Sequence, residues 1–186
     1  MNRRNMVVAI AFALSTSGIA LGADKAKEQA EVRTAAQQAL AAVYKLQPSA
    51  RKAVESAAGY AAFSNFGMKI LVAGGGSGEG VAVNNKSKAT TYMKMAEVQA
   101  GLGFGVKKFQ LVWVFDTEKA LNDFVNSGWE FSGQATAAAK AADKGSAYQG
   151  SVAVAPGVWL YQVTDKGLAL ELTAKGTKYY KDSDLN

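Results

Sequence analysis

The chain has 186 residues, 49% hydrophobic and 19% charged, with 19 Gly, 2 Pro and a formal charge of +6. This is a globular composition, which excludes a disordered or collagen-like chain. Cysteine and histidine are both absent, so disulfides, thiol nucleophiles, His-based triads, imidazole bases and zinc-finger sites are excluded together.

Arg3 and Arg4 precede an apolar run at residues 6–14, and Ala20-Leu21-Gly22-Ala23 then supplies small residues. This is the layout of a secretory signal, cleaved near Gly22 or Ala23. The apolar run is shorter and more interrupted than the roughly 20 residues of a membrane span. No cysteine follows it, so attachment as a lipoprotein is excluded. The expectation is a periplasmic protein whose mature part, residues 24–186, forms one domain large enough for a core. Beyond the two arginines the basic excess is uneven. Residues 45–108 hold nine basic and three acidic side chains, and residues 109–186 hold seven and nine. Such a split suits an anionic partner for one face, although scattered solubilising lysines give the same count.

Residues 24–47 are rich in Ala, Lys, Glu and Gln, with Val32, Ala36, Leu40 and Val43 at helical spacing and Ala35, Ala39 and Ala42 beside them. Pro48 opens a second short helix over residues 49–56, ended by Gly59. The period then changes from 3.6 to 2. Residues 60–63 and 69–73 read as strands, residues 74–80 as a glycine-rich connection, and residues 81–83 as a resumed strand. Residues 84–88 form a turn with a basic tip. Strands come next at 90–95, 98–106 and 109–115. Asp116-Thr117-Glu118 opens a helix with Ala120, Leu121 and Phe124 as its apolar face, closed by Asn126-Ser127-Gly128. The alanines of residues 129–142 permit a helix, whereas Gly133, the threonine and the Asp143-Lys144-Gly145 turn that follows favour a strand. Further strands lie at 149–155, 158–164 and 168–174, with Asp165-Lys166-Gly167 as a tight hairpin turn, and residues 177–181 close the series. The fold class is α+β: an antiparallel, β-rich sandwich or barrel-like sheet with two N-terminal helices (residues 24–58) and one inserted helix.

The run Gly74-Gly75-Gly76-Ser77-Gly78-Glu79-Gly80 lacks the spacing of a dinucleotide fingerprint and has no Gly-Lys-Ser/Thr after it. It joins strand to strand, leaving no helix N-terminus for a phosphate, so it reads as a turn or sheet bend. Gly101, Gly103 and Gly105 share one strand face, where they admit a close approach or, alternatively, a slender apolar ligand. Trp113, Trp129 and Trp159 read as core rather than interfacial anchors. Asp116, Glu118 and Asp123 fit a solvated helix face and assemble no catalytic pair. The basic positions remain: Lys69, then Lys86 and Lys88 in one turn, then Lys107 and Lys108 between two strands. Lysines near anionic headgroups contribute about 1 kcal/mol each.

Several segments resemble the SYLF lipid-binding domain family. These are Gly59-Tyr60-Ala61-Ala62-Phe63 with the glycine run after Lys69, and Gln99-Ala100-Gly101-Leu102-Gly103. Phe115-Asp116-Thr117 and Gly128-Trp129-Glu130 belong to the same series. At the end come Tyr161-Gln162-Val163-Thr164-Asp165-Lys166-Gly167-Leu168 and Gly176-Thr177-Lys178-Tyr179-Tyr180-Lys181. Together they span residues 50–186, with Ser64 standing where the family usually has Pro. The resemblance implies a family whose eukaryotic relatives bind phosphoinositides and, in fungi, actin. For an exported bacterial protein it implies a non-enzymatic module on anionic phospholipids, without cofactor, metal or nucleic acid. A carrier or enzyme for an apolar ligand and a small outer-membrane barrel are the alternatives.

Overall fold

The computed structural model describes residues 17–70, 73–100, 105–127, 130–131, 148–169 and 177–186. Helix α1 spans Ser17–Leu46. Its buried side chains are Val32, Ala36, Ala39 and Val43, the steps of 3 and 4 that line one helix face. Two of the four are alanine, so the helix backbone comes close to the sheet it covers. Helix α2, Ser49–Ser56, buries Ala50, Ala53 and Val54. It stops at Ser56, and Gly59 begins strand β1 instead of ending the helix.

One antiparallel sheet takes up the rest. Its strands are β1 (Gly59–Ile70), β2 (Ala73–Asn84), β3 (Thr90–Ala100), β4 (Gly105–Phe115), β5 (Glu130–Phe131), β6 (Val152–Ala155), β7 (Val158–Thr164), β8 (Gly167–Ala169) and β9 (Thr177–Lys181). Helix α3, Glu118–Asn126, is inserted between β4 and β5. The lateral order is β5-β9-β3-β2-β1-β4-β7-β6, with β8 also on β7. The sheet is curled in the manner of a half-barrel. Of the two expected forms, the barrel-like sheet is the one found.

Register alternation assigns the core to two faces. Ala62, Val81, Tyr92, Val112, Val114, Trp159 and Tyr161 pack with the apolar stripes of α1 and α2. Ala61, Phe63, Met93, Leu111, Trp113, Phe115 and Tyr179 pack with Leu121 and Phe124 of α3. The Phe124 ring lies 4.9 Å from Phe115, 5.2 Å from Tyr179 and 5.6 Å from Trp113, centroid to centroid. Thr117 caps α3 by accepting from the Ala120 amide at 3.2 Å, and Glu118 sits in the first turn beside the helix dipole. Trp113 and Trp159 are core residues, as expected; Trp129 lies outside the described residues.

Three expectations are corrected. The glycine run is no connection: it lies within β2, paired along its length with β1 and β3. Glycine interrupts the apolar alternation there, so the sequence reads as loop, whereas the backbone hydrogen-bonding pattern ignores side chains. Residues 98–106 are no single strand, because β3 ends at Ala100 and β4 begins at Gly105, with β2 and β1 between them in the sheet. Lys107 and Lys108 do not link two strands; both lie inside β4, opposite Gly67 and Phe66. Of the strand expected at 129–142 only β5 is described, and of 168–174 only β8. Gly101, Gly103, residues 6–14 and the remainder of those two segments lie outside the described residues.

Candidate functional site

The five expected lysines separate into two groups. The β2–β3 turn carries Lys86 and Lys88, both exposed. Asn84 shapes it, its side-chain oxygen accepting from the Lys86 and Ser87 amides, each at 2.9 Å. Asn85 ties it to α2 by donating to the carbonyls of Val54 at 2.7 Å and Ala57 at 3.0 Å. This turn lies at the Gly59 end of β1, since Gly59 pairs with Asn84. At the opposite end Lys69 pairs with Gly105, Gly67 with Lys107, and Phe66 with Lys108. The two groups are therefore about ten residues of strand apart, roughly 35 Å. Within the second group, alternation with Val112 and Val114 sets Lys108 on the α1 side of the sheet.

Between α1 and the sheet, at the Lys108 end, lies a cleft of about 810 Å³. Glu31, Val32 and Ala35 of α1 form one wall. Its floor is a row that crosses the strands: Lys94 pairs with Glu79, Glu79 with Ser64, and Ser64 with Gln110. Lys108 and Ser77 stand one step further out, each opposite Phe66. On each of these strands the residue marks where an apolar alternation stops. Ser64 comes after Tyr60 and Ala62, Glu79 precedes Val81 and Val83, Lys94 comes after Tyr92, and Gln110 precedes Val112 and Val114. That shared break is the signal in the sequence for this row. Sequence reading misses it because the register that aligns the four strands is not visible in any one of them.

The cleft charges are not equivalent. Lys94 Nζ lies 3.0 Å from Asp182 and 3.7 Å from Asp184, so it is already matched. The Asp182 hydrogen bond raises the Lys94 pKa most, partly opposed by desolvation. Lys108 is exposed and makes no ion pair among the described residues. The carboxylates are Glu31, Glu79 and Asp165. Glu31 meets Lys27 only at 4.0 Å with both side chains exposed, an interaction of little strength.

The α1 wall is pinned at the β3 side. Gln29 donates to the Leu185 carbonyl at 2.7 Å and Lys25 to that of Asn186 at 3.0 Å. Asn186 in turn accepts from the Tyr92 amide at 2.9 Å and donates to the Tyr92 carbonyl at 2.8 Å. Val32, Ala36, Ala39 and Val43, the apolar stripe of α1, are consumed in the core. Among the described residues no helix is long and apolar enough to cross a membrane, and no His/Cys/Asp/Glu group could hold a metal ion.

Residues 96–186 match the family model described as Ysc84, Las17-binding protein actin regulator. The chain is also 34% identical over 156 residues to beta cell expansion factor A of Aeromonas veronii, covering 83% of this chain and 57% of the relative. It thus spans little more than half of that protein's length. The matched region takes in the end of β3, all of β4 to β9, and the Lys108 and Gln110 positions that line the cleft. The order of segments from Gly59 to Lys181 agrees with these two matches, and residues 96–186 are identified as a Ysc84 (SYLF) domain.

Proposed function

We propose that this chain is a non-enzymatic lipid-binding module of the periplasm that docks on bilayers containing anionic phospholipid through the Lys69, Lys107 and Lys108 end of its sheet. The observation that carries this reading is the register: Lys69, Lys107 and Lys108 all fall within three residues of strand at one end of the β1–β4 pair. Three lysines at one end add about 3 kcal/mol near an anionic surface, enough for weak, salt-sensitive attachment. The family model is described as a binding protein, which supports recognition over catalysis. Lys86 and Lys88 lie too far away to share a flat surface with this group, so the module engages the bilayer by one end.

Co-sedimentation with phosphatidylglycerol/phosphatidylcholine vesicles tests this. The Lys69→Gln/Lys107→Gln/Lys108→Gln triple variant should lose binding, and Lys86→Gln/Lys88→Gln should keep it. Wild-type binding should scale with phosphatidylglycerol content and fall as salt rises. Attachment that ignores both, or a triple variant that binds like wild type, overturns the reading.

A further inference from the structure

We infer that the cleft beside α1 seats one zwitterionic phospholipid headgroup of the phosphoethanolamine class, its phosphate against Lys108 and its primary ammonium against Glu79 and Glu31. The inference rests on the lipid-binding reading and names a ligand for the cleft that Lys108, one of the three docking lysines, lines.

The charge pattern selects the class. Lys94 is held by Asp182 and Asp184, with the Glu79 charge also acting on it, so among the described residues the cleft offers one cation without an ion pair, Lys108, against three carboxylates, Glu31, Glu79 and Asp165. A purely anionic headgroup would meet more repulsion than attraction in it. A headgroup bearing both signs matches both walls, and a primary ammonium brings three donors to the Glu79 and Glu31 carboxylates and the Ser64 hydroxyl. A quaternary ammonium brings none.

Spacing is compatible with this. Glu79 and Lys108 flank β1, two strand spacings apart and one two-residue step out of row. On a regular lattice that separates their Cα atoms by about 12 Å.

The cleft lining favours a lipid over a free zwitterion: Val32 and Ala35 of α1 and Met95, Phe109 and Val163 of the sheet stand in it beside the polar row, so a headgroup carried on a chain meets apolar as well as polar surface.

The test uses the full chain with soluble headgroups, glycerophosphoethanolamine, glycerophosphocholine and glycerophosphoglycerol, monitored by amide chemical shifts. Glycerophosphoethanolamine should give saturable shifts at Ser64, Glu79 and Lys108. Glu79→Gln, with its thermal midpoint checked, should weaken that binding about tenfold and leave phosphatidylglycerol vesicle docking intact. Absent saturable shifts, equal binding of the choline compound, or an unaffected Glu79→Gln variant each overturn the inference. Vesicle docking that persists in those cases leaves the end-on reading standing, and vesicle docking lost with intact headgroup binding removes that reading alone.

Discussion

Lys94 Nζ sits 3.0 Å from Asp182 Oδ2, joining β3 to the segment after β9 through a carboxylate whose side chain is 2% exposed. The second carboxylate on the same ammonium, Asp184 at 3.7 Å, is 80% exposed. One cation therefore serves two anions of very different solvation. Lys94→Met should cost about 3 kcal/mol, because it strands a buried charge. Asp184→Ala should cost less than about 0.5 kcal/mol, because water already screens that pair. Urea denaturation of both variants measures this, and equal losses would contradict the assignment of roles.

The glycines of β2 are not interchangeable. A Cβ on Gly80 would stand 2.2 Å from the Ala62 carbonyl oxygen and 2.6 Å from the Phe63 ring, whereas on Gly75 it would meet only the Glu97 carbonyl oxygen at 3.5 Å. Gly80→Ala is expected to destabilise by more than about 2 kcal/mol, since backbone and a core ring must move. Gly75→Ala should be neutral or stabilising by up to about 1 kcal/mol through the unfolded chain. Chemical denaturation ranks the two, and the reverse ranking would remove the close packing of β2 on β1.

Alkali should unfold the protein before neutral pH changes do. Tyr44 is pushed up to about 12, first by burial and then by Tyr60. Burial is also the largest cause of the upward shifts of Tyr60, Tyr148, Tyr161 and Tyr179, with Asp116 adding to that of Tyr148. Each raised value means that the folded chain keeps a proton which the unfolded chain releases above about pH 10. The unfolded state then binds fewer protons, so stability falls as pH rises. Lys94 has the same sign: its contribution is complete below the unfolded lysine value near about 10.4 and vanishes as pH climbs through its raised folded value. With no histidine in the chain, the thermal midpoint should stay level from about pH 6 to 9 and drop from about pH 10. A level midpoint to about pH 11 would show that these hydroxyls titrate freely in the fold.

The helices and most strands were legible because their signals are local. The Val32–Val43 stripe, the Thr117 cap and the Trp113 strand each declare themselves within a dozen residues. Glycine hid the first half of β2, because a strand whose side chains are missing shows no alternation. The lysine positions were legible as residues but not as a group. Their separation depends on which end of β1 each one faces, and that is set by pairing between strands far apart in sequence. The polar row behind the cleft was hidden for the same reason. Ser64, Glu79, Lys94 and Gln110 are ordinary surface residue types until four registers bring them side by side.

The order of strands in the sheet bears on how the chain is assembled. The β1–β2 hairpin, earliest of the strands to leave the ribosome, is also the middle of the finished sheet. Of the later strands, β3 adds to β2, β4 to β1, β7 to β4 and β9 to β3, each on an existing border, while β5 and β6 join through β9 and β7, which follow them in the chain. The sheet can thus accrete outward in both directions from that hairpin, and at each stage only two borders are open to a wrong neighbour.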